Sequence, residues 1–159
     1  YPEQKEVTKK WIDVREENPV PAKYYLSTTY IETLKRHKAR HEAKGNGFGY
    51  DIIPDDGIAH AIVVGGMGRE SNLVIDFRQT DLTPTTRIKG EVNKQGWRKM
   101  TPREWARLQG YPDNFRIVVA DASAYKQFGN SVAVPAIQAT AEQLLKTLND
   151  KKILKLWEY

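Results

Sequence analysis

Two features of the sequence place groups that could grip a ligand. Near the C-terminus, YKQFGNSVAVPAI runs from Tyr125 as a short helical piece, stops at Gly129 and Asn130, and restarts at Pro135. Such a break exposes backbone together with the small polar side chains of Asn130 and Ser131. Further upstream lie two glycine-rich loops, GNGFGY at 45 to 50 and GGMGRES at 65 to 71, the second carrying Arg69. Glycine lets a backbone approach a partner closely, and an arginine can read a guanine edge with two hydrogen bonds. Each feature also has a plainer reading, as a helix corner or a turn.

Other chemistries have little to draw on. Cysteine is absent, so a thiol nucleophile, a disulfide and a zinc–cysteine site are all excluded within these 159 residues. The three histidines are His37, His41 and His60. His37 and His41 are one helical turn apart, but Lys38 stands where a zinc-protease helix needs glutamate, and a solvated basic face is the simpler reading. GGMGRES lacks the Lys-Ser/Thr and the following helix of a nucleotide-binding P-loop. No metal site and no catalytic residue are therefore expected.

The elements that must position these groups follow from local patterns. Residues 1 to 22, with prolines at 2, 19 and 21, read as an irregular lead-in rather than a packed element. Thr29 and Glu32 suggest a capping box that opens a helix to about Lys44, ended by Gly45. IAHAIVV at 58 to 64 and LVIDF at 73 to 77 read as strands, and 78 to 97 as a long polar connection. TPRE at 101 to 104 combines a threonine cap, a proline at the first helical position and a returning glutamate, so a helix runs from there to Gly110 with Trp105 and Leu108 inward. RIVVA at 116 to 120 reads as a short strand, followed by a brief helix over 123 to 128. A final helix from Pro135 to about Leu148 carries Ile137, Ala141, Leu144, Leu145 and Leu148 on one stripe. The elements do not alternate as repeated βαβ units, so a complete doubly wound sheet is not encoded and the class is α+β.

Charge narrows the partners. Lys and Arg number 25 against 20 Asp and Glu, giving a net of +5. Residues 78 to 107 hold eight Lys/Arg against three Asp/Glu, and the first long helix carries Lys35, Arg36, Lys38, Arg40 and Lys44. A charge run on a helix is ordinarily a solvated face. Beside two glycine-rich loops, it makes nucleic acid the favoured polyanion, although phosphate contacts alone carry no sequence information. No apolar run approaches a membrane-spanning length.

RKMTPREWARLQGYPDNF resembles the ninth conserved motif of bacterial DNA (cytosine-5) methyltransferases of the restriction–modification type, and AYKQFGNSVAVPAI resembles the tenth. RHKARHEAKGNGFGY and AIVVGGMGRESNLVID are similar to the target-recognition region of some members, and the likeness covers roughly residues 24 to 149. It implies a lead-in over 1–23, a small recognition domain over 24–97, and a region over 98–159 whose helices complete an absent Rossmann-like catalytic domain. Asn130, Ser131 and Val132 would then line the S-adenosylmethionine pocket, Tyr111 would approach the cofactor, and Arg98 would be architectural. Lys44, Asn46, Met67 and Arg69 are the loop residues expected to contact double-stranded DNA. Many members carry a Thr-Leu pair in the strand before the second loop, where this sequence has Ala61-Ile62, so a hydroxyl contact is lost.

The family's cofactor glycine motif, Pro-Cys nucleophile, Glu-Asn-Val motif and Gln-x-Arg motif are all missing. The expected reaction needs a thiolate to attack cytosine C6 of a flipped base, so the chain alone is expected to be inactive. It reads as an excised C-terminal fragment or as the small subunit of a split enzyme, the start at Tyr1 favouring the fragment. Its partner would be a catalytic portion, with no membrane, at the nucleoid in the bacterial cytoplasm. The last helix's stripe, if uncovered, would favour self-association. A non-catalytic DNA-binding or regulatory module and an RNA-acting relative remain the alternatives.

Overall fold

Local signals build most of the helices. The computed structural model describes residues 2, 9–65, 68–83 and 90–149. In chain order its elements are α1 (Trp11–Val14), α2 (Thr28–Glu42), β1 (Leu73–Ile75), β2 (Trp97–Lys99), α3 (Pro102–Leu108), α4 (Asp121–Asn130) and α5 (Val134–Asn149), with 3-10 turns at Ala22–Tyr24 and Glu70–Asn72. The α3 capping box forms as expected: Thr101 Oγ1 accepts from Glu104 N at 3.1 Å, and Thr101 N donates to Glu104 Oε2 at 2.7 Å. In α2 the cap is Ser27, which accepts from Tyr30 N at 3.2 Å, two residues before the expected Thr29. Gly45 closes that helix at φ +72°, a conformation that only glycine adopts cheaply.

β1 and β2 pair antiparallel with Val74 opposite Arg98. Single bridges widen this sheet, Ile52 to Leu73 on one side and Tyr25 to Arg98 on the other. Successive residues of β1 point to opposite faces. Val74 enters a cluster with Trp11, Val14, Met100, Trp105 and Phe128, while Leu73 enters another with Leu26, Ile31 and Leu34. The class is α+β, as expected.

Three expectations fail. Residues 58–64 form no strand. Asn72 holds them instead: His60 N donates to its Oδ1 at 2.8 Å and its Nδ2 donates to His60 O at 3.2 Å, so one side-chain amide does the work of a neighbouring strand. Residues 116–120 form no strand either; Ile117 packs on the core while Val118 is 80% exposed. The lead-in is partly a packed element, since Trp11 and Val14 are buried in the main cluster. β2 begins where a polar connection was expected to end.

A buried charge network explains β2. The Arg98 side chain has no exposed surface; Nε donates to Asp76 Oδ2 at 3.1 Å, and Nη1 and Nη2 donate to the two Glu104 oxygens, each at 2.8 Å. Arg78 donates to Asp76 at 2.8 and 2.9 Å and to the carbonyls of Glu16 and Glu17. The network joins residues distant in sequence on one arginine. Burial would raise the Asp76 carboxyl, but hydrogen bonds from Arg78 and the charge of Arg98 outweigh it and hold the pKa down to about 2.

A carboxyl depressed in the folded state stabilises above its ordinary pKa and loses that contribution as pH falls through the folded value. Asp76 is therefore expected to contribute about 2 kcal/mol above pH ~4 that is mostly lost by pH ~2 and gone near pH ~1. Urea midpoints measured between these pH values should fall in the native chain. The Asp76→Asn variant, already less stable at neutral pH, should lack this component of the slope.

Candidate cofactor-facing turn and DNA-facing loops

Gly110 ends α3 at φ +81°, and a Cβ there would lie 2.5 Å from Pro135 Cδ, so the start of α5 sits directly on the end of α3. Val134 N donates to Gln109 O at 2.8 Å across this joint. The Gln109 amide then reaches the end of α4, where Nε2 donates to Phe128 O at 2.9 Å and to Ser131 O at 3.5 Å. Ser131 Oγ donates to the same Phe128 carbonyl at 2.7 Å. Tyr111 packs its ring 5.4 Å from Phe128 and 4.8 Å from Phe115, while its N donates to Ala106 O at 2.9 Å.

Gln109 and Phe128 thus bring Tyr111 and the segment 129–132, the last residues of α4 and the break after it, to one end of the helices. Asn130 is exposed, Val132 is 60% exposed, and Ser131 is half-buried and holds the turn. Sequence reasoning missed Gln109. A glutamine at a helix end carries no distinctive signal, and its partners lie 19 and 22 residues downstream.

The two glycine-rich loops leave the core side by side, because Asp51 N, just past the first, donates to Glu70 O, at the end of the second, at 3.0 Å. Lys44 and Asn46 are exposed beyond α2, their backbone amides both donating to His41 O. Arg69 is exposed and places its guanidinium 5.3 Å over the Tyr125 ring. With Val64, Trp105, Tyr125 and Lys126 it lines an open cleft of about 160 Å³. Met67 lies outside the described residues.

Glu70 anchors the second loop from beneath, a role the sequence did not reveal. It is 3% exposed, pairs with Lys99 at 2.7 Å and accepts from Tyr30 OH at 2.9 Å. Burial would raise its carboxyl, but Lys99 outweighs that and holds it below the usual carboxylate range.

On α2, Lys35 pairs with Glu32 and Lys38 donates to Tyr50 O, while Arg36, Arg40 and Lys44 stay exposed at four-residue spacing. His37 and His41 stack with ring centroids 4.4 Å apart. Loss of solvent, His37, Arg40 and Lys44 together lower the His41 pKa, so this imidazole adds no charge to the basic ridge at neutral pH.

Known proteins share both sequence and fold with this chain. The type II methyltransferase M.HpaII of Haemophilus parainfluenzae is 71% identical over 150 residues, which cover 94% of this chain and 42% of that protein. M.NlaX of Neisseria lactamica is 38% identical over 134 residues, covering 82% of this chain and 38% of its own. Among solved structures, the S. pombe Dnmt2 methyltransferase matches with a TM-score of 0.63 at 20% identity, over 89% of this chain and 43% of that one. The Entamoeba histolytica methyltransferase EhMeth matches with a TM-score of 0.62 at 18% identity, over 91% and 43%. At such identities these two show the fold alone. The sequence model of the C-5 cytosine-specific DNA methylases matches residues 1–146; the chain belongs to that family and spans less than half the length of these relatives.

Proposed function

We propose that the chain is the target-recognition and cofactor-pocket-closing part of a DNA (cytosine-5) methyltransferase. The observation that carries this reading is the Gln109 joint, which holds a turn rigidly beside Tyr111 while leaving Asn130 and Val132 uncovered. A module that only bound DNA would have no use for such a preorganised turn. The donor set fits part of S-adenosylmethionine: an exposed amide at Asn130, an apolar contact at Val132, and an aromatic ring at Tyr111. That cofactor supplies the methyl group for cytosine C5, and the nucleophile comes from the catalytic portion, because this chain has no cysteine.

Lys44, Asn46, Met67 and Arg69 meet the duplex from the two loops, and Arg36 and Arg40 on α2 follow its phosphates. α5 buries none of its residues in this chain, with Ile137, Leu144, Leu145 and Leu148 each more than half exposed. The catalytic portion covers that stripe, and the chain self-associates through it when the catalytic portion is missing. The assembled enzyme works at the nucleoid in the cytoplasm.

The test is methyl transfer from labelled S-adenosylmethionine to duplex DNA, by the chain alone and after co-expression with the catalytic portion of its own gene. Activity only in the combined sample is expected. Silence in both samples, with a folded chain that still binds duplex, would move the assignment to a non-catalytic binding module. Preferential competition by structured RNA would move the substrate instead.

A further inference from the structure

Gly129 lies inside α4, where alanine is ordinarily the better helix former. Its environment explains the exception. A Cβ built there would overlap the Val64 Cγ2 methyl, and it would also lie 3.4 Å from Val64 N and 3.5 Å from Trp105 Cζ3. The second glycine-rich loop therefore rests on α4 where the helix has no side chain. One turn earlier on α4, Tyr125 takes the Arg69 guanidinium from the loop's far arm. The loop closes on itself: Gly68 N donates to Gly65 O at 3.1 Å, and Ser71 Oγ donates to Gly68 O at 2.9 Å. Val64 and Arg69 thus hold it to α4 at Gly129 and Tyr125, and α4 leads within one residue of Gly129 into the break at Ser131.

We infer that the Val64–Gly129 contact is a positioning contact that couples the DNA-facing loop to the cofactor-facing turn, so that displacement of either displaces the other. This rests on the functional reading above. Coupling of this kind is reciprocal: what the duplex does to the loop is felt at the cofactor, and the reverse. Val64 acts through the Gly129 backbone it rests on.

A size swap tests it in the assembled enzyme. Gly129→Ala is expected to raise the KM for S-adenosylmethionine and the KM for duplex DNA together, each by about tenfold. Adding Val64→Ala should make room for the new methyl and bring both back to within about threefold of the native values. Recovery of only one KM, or failure of the double variant to recover while its thermal melting matches the native enzyme, would overturn the coupling.

Amide hydrogen exchange on this chain alone supplies a readout free of activity. In Gly129→Ala, exchange should rise about fivefold or more at 63–65 and 68–69 and also at 130–134, and it should return at both sites in the double variant. A rise confined to the turn would overturn the proposal, and so would unchanged exchange. Should Gly129→Ala not fold, Val64→Ala alone should speed exchange at both sites, and an effect at the loop alone would overturn it. If the native assembled sample transfers no methyl group, the functional reading fails, and the exchange experiment still decides whether loop and turn move together.

Discussion

Arg98→Met is expected to cost about 3–5 kcal/mol of stability, the range for removing one partner of a buried, hydrogen-bonded ion pair. The loss comes from what remains. Asp76 is 2% exposed and Glu104 is fully buried, and without Arg98 the Glu104 carboxylate keeps, among the described residues, only backbone donors from Thr101 and Glu16. Against an ordinary domain stability of about 5–15 kcal/mol, this is roughly a fifth of the total or more. Arg98→Lys should recover only part of the loss, since an ammonium cannot span both Glu104 oxygens and Asp76 as the planar fork does. Urea midpoints of native, Arg98→Met and Arg98→Lys chains check the order. Equal stability of native and Met variants would mean that the network contributes nothing net.

Trp11→Ala should have a comparable effect, about 3–5 kcal/mol, from lost burial and the cavity left behind. The indole is wholly buried in the main cluster and lies 5.4 Å beneath the Arg98 guanidinium. Its Nε1 is a buried donor with no partner among the described residues. Trp11→Phe should therefore cost much less than Trp11→Ala, because it keeps most of the ring and removes the unsatisfied N–H. Because both residues face each other, the Trp11→Ala, Arg98→Met double variant should fall short of the sum of the singles. Additive losses in the same urea titrations would show that the two do not support each other.

What could be read from the sequence tracks how local each cause is. The α3 cap and the α2 stop at Gly45 depend on residues within a turn of one another and appear where they were expected, whereas α4 runs on through Gly129 and Asn130 and breaks only at Ser131. Residues 58–64 failed because the partner is the side chain of Asn72, and no periodicity reveals that. β2 reads as polar, since Arg98 enters the core only by meeting carboxylates 22 and 6 residues away. Trp11 sat in a charged, proline-bearing stretch that obscured its burial. The same division holds at the candidate site: Gly-Asn-Ser signals a helix break to within two residues, whereas Gln109 and Glu70 act through partners that the fold supplies.

The shared arginine also sets how this chain could be recombined with its relatives. On the proposed reading of 24–97 as the recognition domain, exchanging that span alone would cut β2 after Trp97, part Asp76 from Arg98 and part Arg78 from the Glu16 and Glu17 carbonyls. It would also leave Trp11, Glu16 and Glu17 behind. A transplantable cassette has to start before α1 and continue through Glu104, so that the donor's arginine travels with its own carboxylates. The seam is then better placed at Gly110, where the chain already turns between helices.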